Sequence, residues 1–219
     1  MTRSYARWLR FASMAVGLCL LGHSTSHAAQ YQVAIDTAAL SGTAFVAAFD
    51  FIDGGTPSNS VSITQFQTDG TLAPATSTGS TSGSPPGPFT LTDTSFFSEL
   101  LQPLNGASFL TFIISSTQNA PDIASAPDGL SFFLLDPASN LPLVHTSDPT
   151  GADALFVLSI DGTASAALLV NTPSPAAPAV GWSVIAAVPE PQTALSLTVG
   201  CMVLVYALRL RRRYSNIQF

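Results

Sequence analysis

The sequence predicts an all-β fold: an antiparallel β-sandwich of about eight strands with jelly-roll topology. Two observations carry this expectation. Apolar segments are short, and the clearest of them, Ser60-Val-Ser-Ile-Thr-Gln-Phe66, alternates with hydroxyl and amide side chains at the period of a strand. Clusters of Gly, Pro and Asp interrupt these segments, and helical periodicity is almost absent between the two ends of the chain.

In order, Tyr31–Ile35 reads as an alternating strand. Asp36–Gly42 reads as a turn or short helix with Asp36 or Thr37 as its cap. Ala44–Ile52 is a strongly apolar strand closed by Asp53-Gly54-Gly55-Thr56-Pro57. Ser60–Phe66 follows, and Asp69-Gly70 reads as a hairpin turn into a short strand near Leu72. Ala73–Pro88 is low in complexity, with nothing to bury, and is expected as a mobile surface loop. Phe89–Leu91 resumes the domain, and Phe96–Leu101 looks helix-like, stopped by Pro103. Phe109–Ser115, Leu130–Leu135 and Ala154–Ile160 are apolar strands, with turns at Pro121-Asp122, Asp136-Pro137 and Asp161-Gly162. Ala166–Val170 completes a hairpin, so the ectodomain runs over 29–170. Asn171–Ala179, with Pro173, Pro175 and Pro178, reads as a semi-rigid linker. Gly181–Val188 is a last strand or part of a stalk.

The two ends differ from the middle. Arg3, Arg7 and Arg10 precede an apolar run, Phe11–Leu21, and Ser26-His27-Ala28 is a small-x-small site. This is the pattern of a Sec signal peptide, residues 1–28, cleaved between Ala28 and Ala29. Cys19 does not make it a lipoprotein, because Leu18 stands where a small residue is wanted. At the other end, Ala194–Leu208 is fifteen residues without a charge, about 22 Å of helix at about 1.5 Å per residue. That is short for a span, but Arg209 can lend its stem, so a single transmembrane helix is expected. Arg209, Arg211, Arg212 and Arg213 place the tail Tyr214–Phe219 on the cytoplasmic side.

Val188-Pro189-Glu190-Pro191, the short apolar run and the Arg cluster together resemble the PEP-CTERM sorting signal, over 188–213. The resemblance implies export from a Gram-negative bacterium and processing near Pro-Glu-Pro by an exosortase. The Sec translocon and signal peptidase would be the earlier partners. It further implies an inner-membrane intermediate, then the cell surface, outer envelope or extracellular space. A plain C-terminal membrane anchor is the competing reading. The ectodomain itself is similar to a recurrent family of uncharacterised PEP-CTERM secreted proteins. That likeness rests on Val33–Thr43, Phe49-Asp-Phe51, Asp136-Pro137, Leu141-Pro-Leu143 and Ala154-Leu-Phe-Val-Leu-Ser-Ile-Asp161. It implies a fold and no activity.

Charge is distributed unusually. The chain has seven basic residues, all arginines of the two terminal signals, so 29–188 contains no Lys or Arg. Of the thirteen acids only Glu190 lies outside that segment, which therefore sums to −12. Nucleic-acid binding and adhesion to anionic lipid heads both need basic side chains and are excluded. No internal salt bridge is expected. Cys19 and Cys201 fall in the terminal segments, so no disulfide or thiolate site exists in the exported domain.

Catalysis is not expected. His145 is the one histidine left after signal cleavage, which rules out a histidine-based metal centre. No Gly-x-Ser-x-Gly elbow occurs; Gly79-Ser-Thr-Ser-Gly83 has Thr at the nucleophile position. A glycosidase pair would have to use Glu99 with one of the aspartates. Pro127-Asp128-Gly129-Leu-Ser-Phe-Phe-Leu134 resembles the Asp-Gly-Leu-x-Phe-Phe segment of legume-type lectins, which implies a sugar-binding role for Asp128 and Gly129. The acidic metal-binding loop of those lectins is not found. No metal site or cofactor is expected; Asp50, Asp53 and the scattered Asp-Gly turns make Ca²⁺ the one ion to consider. Thr76–Ser84 offers hydroxyls for O-glycans, and no Asn-x-Ser/Thr sequon occurs. The sequence thus points to an exported, non-catalytic, structural or adhesive matrix protein that meets exopolysaccharide. A lectin-like carbohydrate-binding module is the alternative.

Overall fold

The computed structural model describes residues 29–55, 58–117, 119, 126–162, 167–173 and 180–187. The expected signal peptide, sorting signal and transmembrane helix lie outside them. Thirteen strands are present among the described residues. They are β1 (Ala29–Asp36), β2 (Ala44–Ile52), β3 (Ser60–Thr68), β4 (Thr71–Leu72), β5 (Thr76–Thr78), β6 (Thr81–Gly83) and β7 (Phe89–Thr92). β8 (Phe97–Asn105), β9 (Phe109–Ser116), β10 (Asp128–Leu135), β11 (Phe156–Ile160), β12 (Ala167–Val170) and β13 (Gly181–Ala187) follow. A single 3-10 turn, Ala38–Leu40, joins β1 to β2, with Asp36 Oδ1 accepting from Ala38 N at 3.0 Å.

All pairings are antiparallel, in two sheets. A six-stranded sheet has the order β13-β1-β9-β3-β7-β6. A seven-stranded sheet has the order β12-β11-β10-β2-β8-β4, with β5 also on β8. The fold is all-β, as the short alternating segments predict. Gly181–Ala187 is a strand, pairing with β1, and not a stalk.

The core forms where the inner faces meet. β1, β3, β7 and β9 contribute Val33, Ile35, Ile63, Phe89, Leu91 and Phe112; β2, β8, β10 and β11 oppose them with Phe45, Phe49, Phe51, Leu100, Phe132 and Phe156. Phe49 is the keystone. Its ring meets Phe89 at 5.1 Å, Phe112 at 5.2 Å and Phe132 at 4.9 Å, each edge to face. Such pairs add about 0.5–1.5 kcal/mol each beyond the area they bury.

β2 departs from simple alternation, since Val46 and Ala48 on its outer face are buried as well. The chain between β10 and β11 folds back on this side. Leu143 N donates to Leu134 O and Leu155 N to Phe132 O, both at 2.8 Å.

Four local expectations are corrected. Asp69-Gly70 is not a hairpin turn: β3 lies in the six-stranded sheet and β4 pairs with β8 of the seven-stranded one, so the chain crosses between sheets there, with Asp69 Oδ1 accepting from Ser108 N at 2.8 Å. Phe96–Leu101 is not helical; it opens β8, which runs through Pro103 to Asn105. Ser98, Leu100, Gln102 and Leu104 face inward there. Two polar residues on the buried side disguise the two-residue period. Pro103 is tolerated because its carbonyl, and hence its nitrogen, faces the irregular 73–75 segment, where Ala73 N donates to Pro103 O at 3.1 Å.

Ala73–Pro88 is not a free loop. β5 pairs with β8 of one sheet and β6 with β7 of the other, so the stretch stitches the sheets together. Hydroxyls do this work: Ser98 Oγ accepts from Ser80 N at 2.9 Å, and Ser80 Oγ meets Ser95 Oγ at 2.8 Å. Gly79 permits the crossing, with φ +68 and a position where a Cβ would stand 2.1 Å from Phe97 O.

The start of the expected linker is docked too. Asn171 is buried, and its Nδ2 donates to Ala154 O at 2.7 Å. The prolines hide this amide anchor, because composition reports stiffness and not contacts.

Candidate functional site

Asp128 begins β10 at the rim of the seven-stranded sheet and is only 1% exposed. Its Oδ1 accepts from Gly54 N at 2.6 Å and its Oδ2 from Asn59 Nδ2 at 2.7 Å. Asn59 is itself 2% exposed. Its Oδ1 accepts from Thr117 Oγ1 at 2.8 Å and from Asn119 N at 3.0 Å, while its own N–H donates to Asp93. Gly54 fits because a Cβ there would lie 2.1 Å from Ala126 O. Burial pushes the Asp128 carboxyl up, against the pull of the Gly54 and Asn59 hydrogen bonds, and Asp93 and Asp53 add repulsion.

This arrangement clamps the β2–β3 turn to the start of β10. The oxygens that a sugar hydroxyl would have to reach are spent on Gly54 and Asn59. Gly129, opposite Ile52 and Ser159, has open space around it. Sequence reading found Asp128 but missed Asn59, Asp93 and Thr117. The signal available for Asn59 was slight: a lone amide just ahead of a strand.

A second site lies on the outer face of the same sheet. Asp50 in β2 opposes Glu99 in β8, and Ser131 of β10 flanks Asp50 on the other side. A groove of about 410 Å³ surrounds the pair, lined by Leu101, Phe133 and Leu135 of the sheet and by Asn140, Pro142 and Ala152 of the β10–β11 connection. Asp50 is pushed up to about 7, by burial first and then by the charge of Glu99. Burial raises Glu99 as well. The glycosidase reading needed Glu99 beside an aspartate, and Asp50 is that aspartate. The helix-like reading of 96–101 concealed the match, since it hid which face Glu99 occupies.

His145 stands apart from both. Its Nδ1 lies 2.8 Å from Asp153 Oδ2, with the two side chains 67% and 19% exposed. The expectation of no internal salt bridge considered Lys and Arg and overlooked this histidine–carboxylate contact. No serine hydroxyl bonds to His145 among the described residues, so the parts of a triad are not assembled there. Asp153 Oδ1 also accepts from Thr146 N at 2.8 Å, and Asp148 accepts from Thr150 N at 2.9 Å and Ala154 N at 3.1 Å. These carboxylates hold the connection in shape.

The Ca²⁺ candidates do not converge. Asp50 faces the groove with Glu99, whereas Asp53 caps its own turn through Gly55 N at 2.6 Å. Among the described residues no group of three or more His, Cys, Asp or Glu is placed to hold a metal ion. The sorting-motif residues Val188, Pro189, Glu190 and Pro191, the arginines 209 and 211–213, and Ala28 lie outside the described residues. Ala29 is described and buried, as the first residue of β1. No protein-family model matches the chain, and neither the curated proteins nor the solved structures contain a match.

Proposed function

We propose that this chain is an exported, exosortase-processed surface or extracellular-matrix protein of an exopolysaccharide-producing Gram-negative bacterium. Its sandwich acts as a non-catalytic structural or adhesive unit, with a jelly-roll path through the two sheets. The observation that carries this reading is the distribution of charge: all seven basic residues lie in the two terminal segments, Arg3–Arg10 and Arg209–Arg213, and the two-sheet unit between them has neither Lys nor Arg. Basic residues confined to the flanks of two apolar runs are what a signal peptide and a sorting signal require. The non-catalytic part of the reading draws support from the aspartates, most of which accept hydrogen bonds from nearby backbone amides.

The test is the intact mass of the protein recovered from its host, taken separately from membranes and culture fluid. The expected species starts at Ala29 and lacks everything beyond about Pro191, with hexose steps if the Thr76–Ser84 hydroxyls are glycosylated. A species that retains Arg211–Arg213 would overturn the sorting reading in favour of a plain anchor.

A further inference from the structure

Asp50 and Glu99 face each other across β2 and β8, in the middle of the seven-stranded sheet. Directly opposed residues on antiparallel strands hold their Cβ atoms about 4.5–5.5 Å apart. Two carboxyl groups therefore share one small volume. No other titratable group lines the groove. β10 supplies Ser131, β5 supplies Thr78 beside Glu99, and the β10–β11 connection supplies Asn140, Pro142 and Ala152.

The surroundings do not suit two negative charges. Asp50 Oδ1 is buried, and no donor among the described residues reaches it. No lysine or arginine exists anywhere between residues 29 and 188 to compensate the pair. The sheet side of the groove is hydrocarbon: Leu101, Phe133 and Leu135. A buried anionic oxygen without a donor is costly, and like charges directly opposed across a strand pair repel. One proton relieves both penalties.

We propose that Asp50 and Glu99 form a proton-operated latch under the β10–β11 connection. Sharing a proton, they let the connection close over the groove; losing it, they draw in water and lift the connection from the sheet. The direction of titration agrees. Burial, then Glu99, raises Asp50 from 3.8 to about 7, and the proton belongs to the pair and not to one residue. Because the folded-state value is the higher one, the stability it lends is full below about pH 4 and is lost as pH rises through about 7. The other carboxylates of the connection, Asp136, Asp148 and Asp153, are all held below the usual range, so they stay charged throughout that window. His145 pairs with Asp153 and remains in every variant below.

The processed protein, wild type and Asp50→Asn, is compared by hydrogen exchange at pH 5 and pH 8, each pair at matched pH. The amides of Asp136 and Leu143 report, since they donate to Leu141 O and Leu134 O and so fasten the connection. At pH 5 the two proteins should differ little there. At pH 8 wild type should exchange at least about tenfold faster than Asp50→Asn, since one pK unit supplies a factor of about ten and the rise in Asp50 is larger than that. Equal exchange at pH 8 would overturn the latch. Should Asp50→Asn fail to fold, Glu99→Gln decides the matter. It leaves Asp50 in place and removes the repulsion, the smaller of its two causes, so part of the protection should return at pH 8; exchange equal to wild type would sink the proposal.

Discussion

Phe49 meets aromatic rings from both sheets, so a single side chain ties the two layers of the sandwich together. Phe49→Ala should therefore cost about 3–5 kcal/mol, the range for emptying a buried aromatic site. Urea denaturation would show a lower midpoint with an unchanged slope; a midpoint shift worth under about 1 kcal/mol would mean the cavity collapses. Asp128 presents a different kind of dependence, because its value lies in two donors that need it. Asp128→Ala strands Gly54 N and Asn59 Nδ2 and should cost about 1–3 kcal/mol. Asp128→Asn keeps an acceptor for only one of the two and should fall between. If Asp128 served a sugar instead, a glycan array would lose signal with Asp128→Asn while stability stayed at the wild-type value. The Asp-Gly-Leu-x-Phe-Phe pattern made this aspartate legible as special. What it could not convey is that Asn59 and Gly54, some seventy positions earlier, occupy both oxygens.

At the scale of elements, the β10–β11 connection is held by carboxylates that accept backbone amides. For Asp148, burial pushes the carboxyl up, but the hydrogen bonds from Thr150 and Ala154 outweigh it and leave it below its usual value. A depressed folded-state value means that the stability is present above about pH 4 and is lost as pH falls through it. Asp148→Asn should then destabilise the protein by about 1–2 kcal/mol at pH 7. The gap from wild type should narrow as pH falls below about 4. Thermal melts of the two proteins across that range check this, and a constant gap would refute it. The strands were legible where apolar and polar residues alternate in register with the sheet, as in β1 and β3, or where a short apolar run is bounded by turn residues, as in β10. β8 was not, because Ser98 and Gln102 face the core while Leu101 faces out, so hydropathy no longer marks the buried side. β5 and β6 were illegible for another reason: their place is set by hydroxyl bonds and by two left-handed glycines, neither of which hydropathy registers. Gly79→Ala tests this. A Cβ 2.1 Å from Phe97 O, at φ +68, should cost about 2 kcal/mol or more in the denaturation midpoint. Loss of under about 0.5 kcal/mol would mean that the 73–88 stretch behaves as the free loop its composition suggests.

Across the whole molecule, the first and last strands are neighbours: Gln30 of β1 opposes Ala187 of β13. The chain therefore enters and leaves the sandwich side by side, at one end of the six-stranded sheet. Under the sorting reading, both processing events act at that shared rim. On that reading, the burial of Ala29 within β1 would place cleavage before, or while, β1 settles between β9 and β13. The geometry alone makes a prediction that does not depend on sorting. A circular permutant that joins Ala187 to Ala29 through a short Gly-rich linker, opened between Pro86 and Gly87, should fold. The opening lies in the β6–β7 turn at the far edge of the same sheet, so no interior strand is broken. Its far-ultraviolet spectrum should match that of residues 29–187 in native order, with a melting temperature within about 5 °C. An unfolded permutant beside a folded parent would show that β1 and β13 do not pair in solution. The shared-rim picture of processing would fall with that pairing, while the packing around Phe49 and the latch at Asp50 would stand.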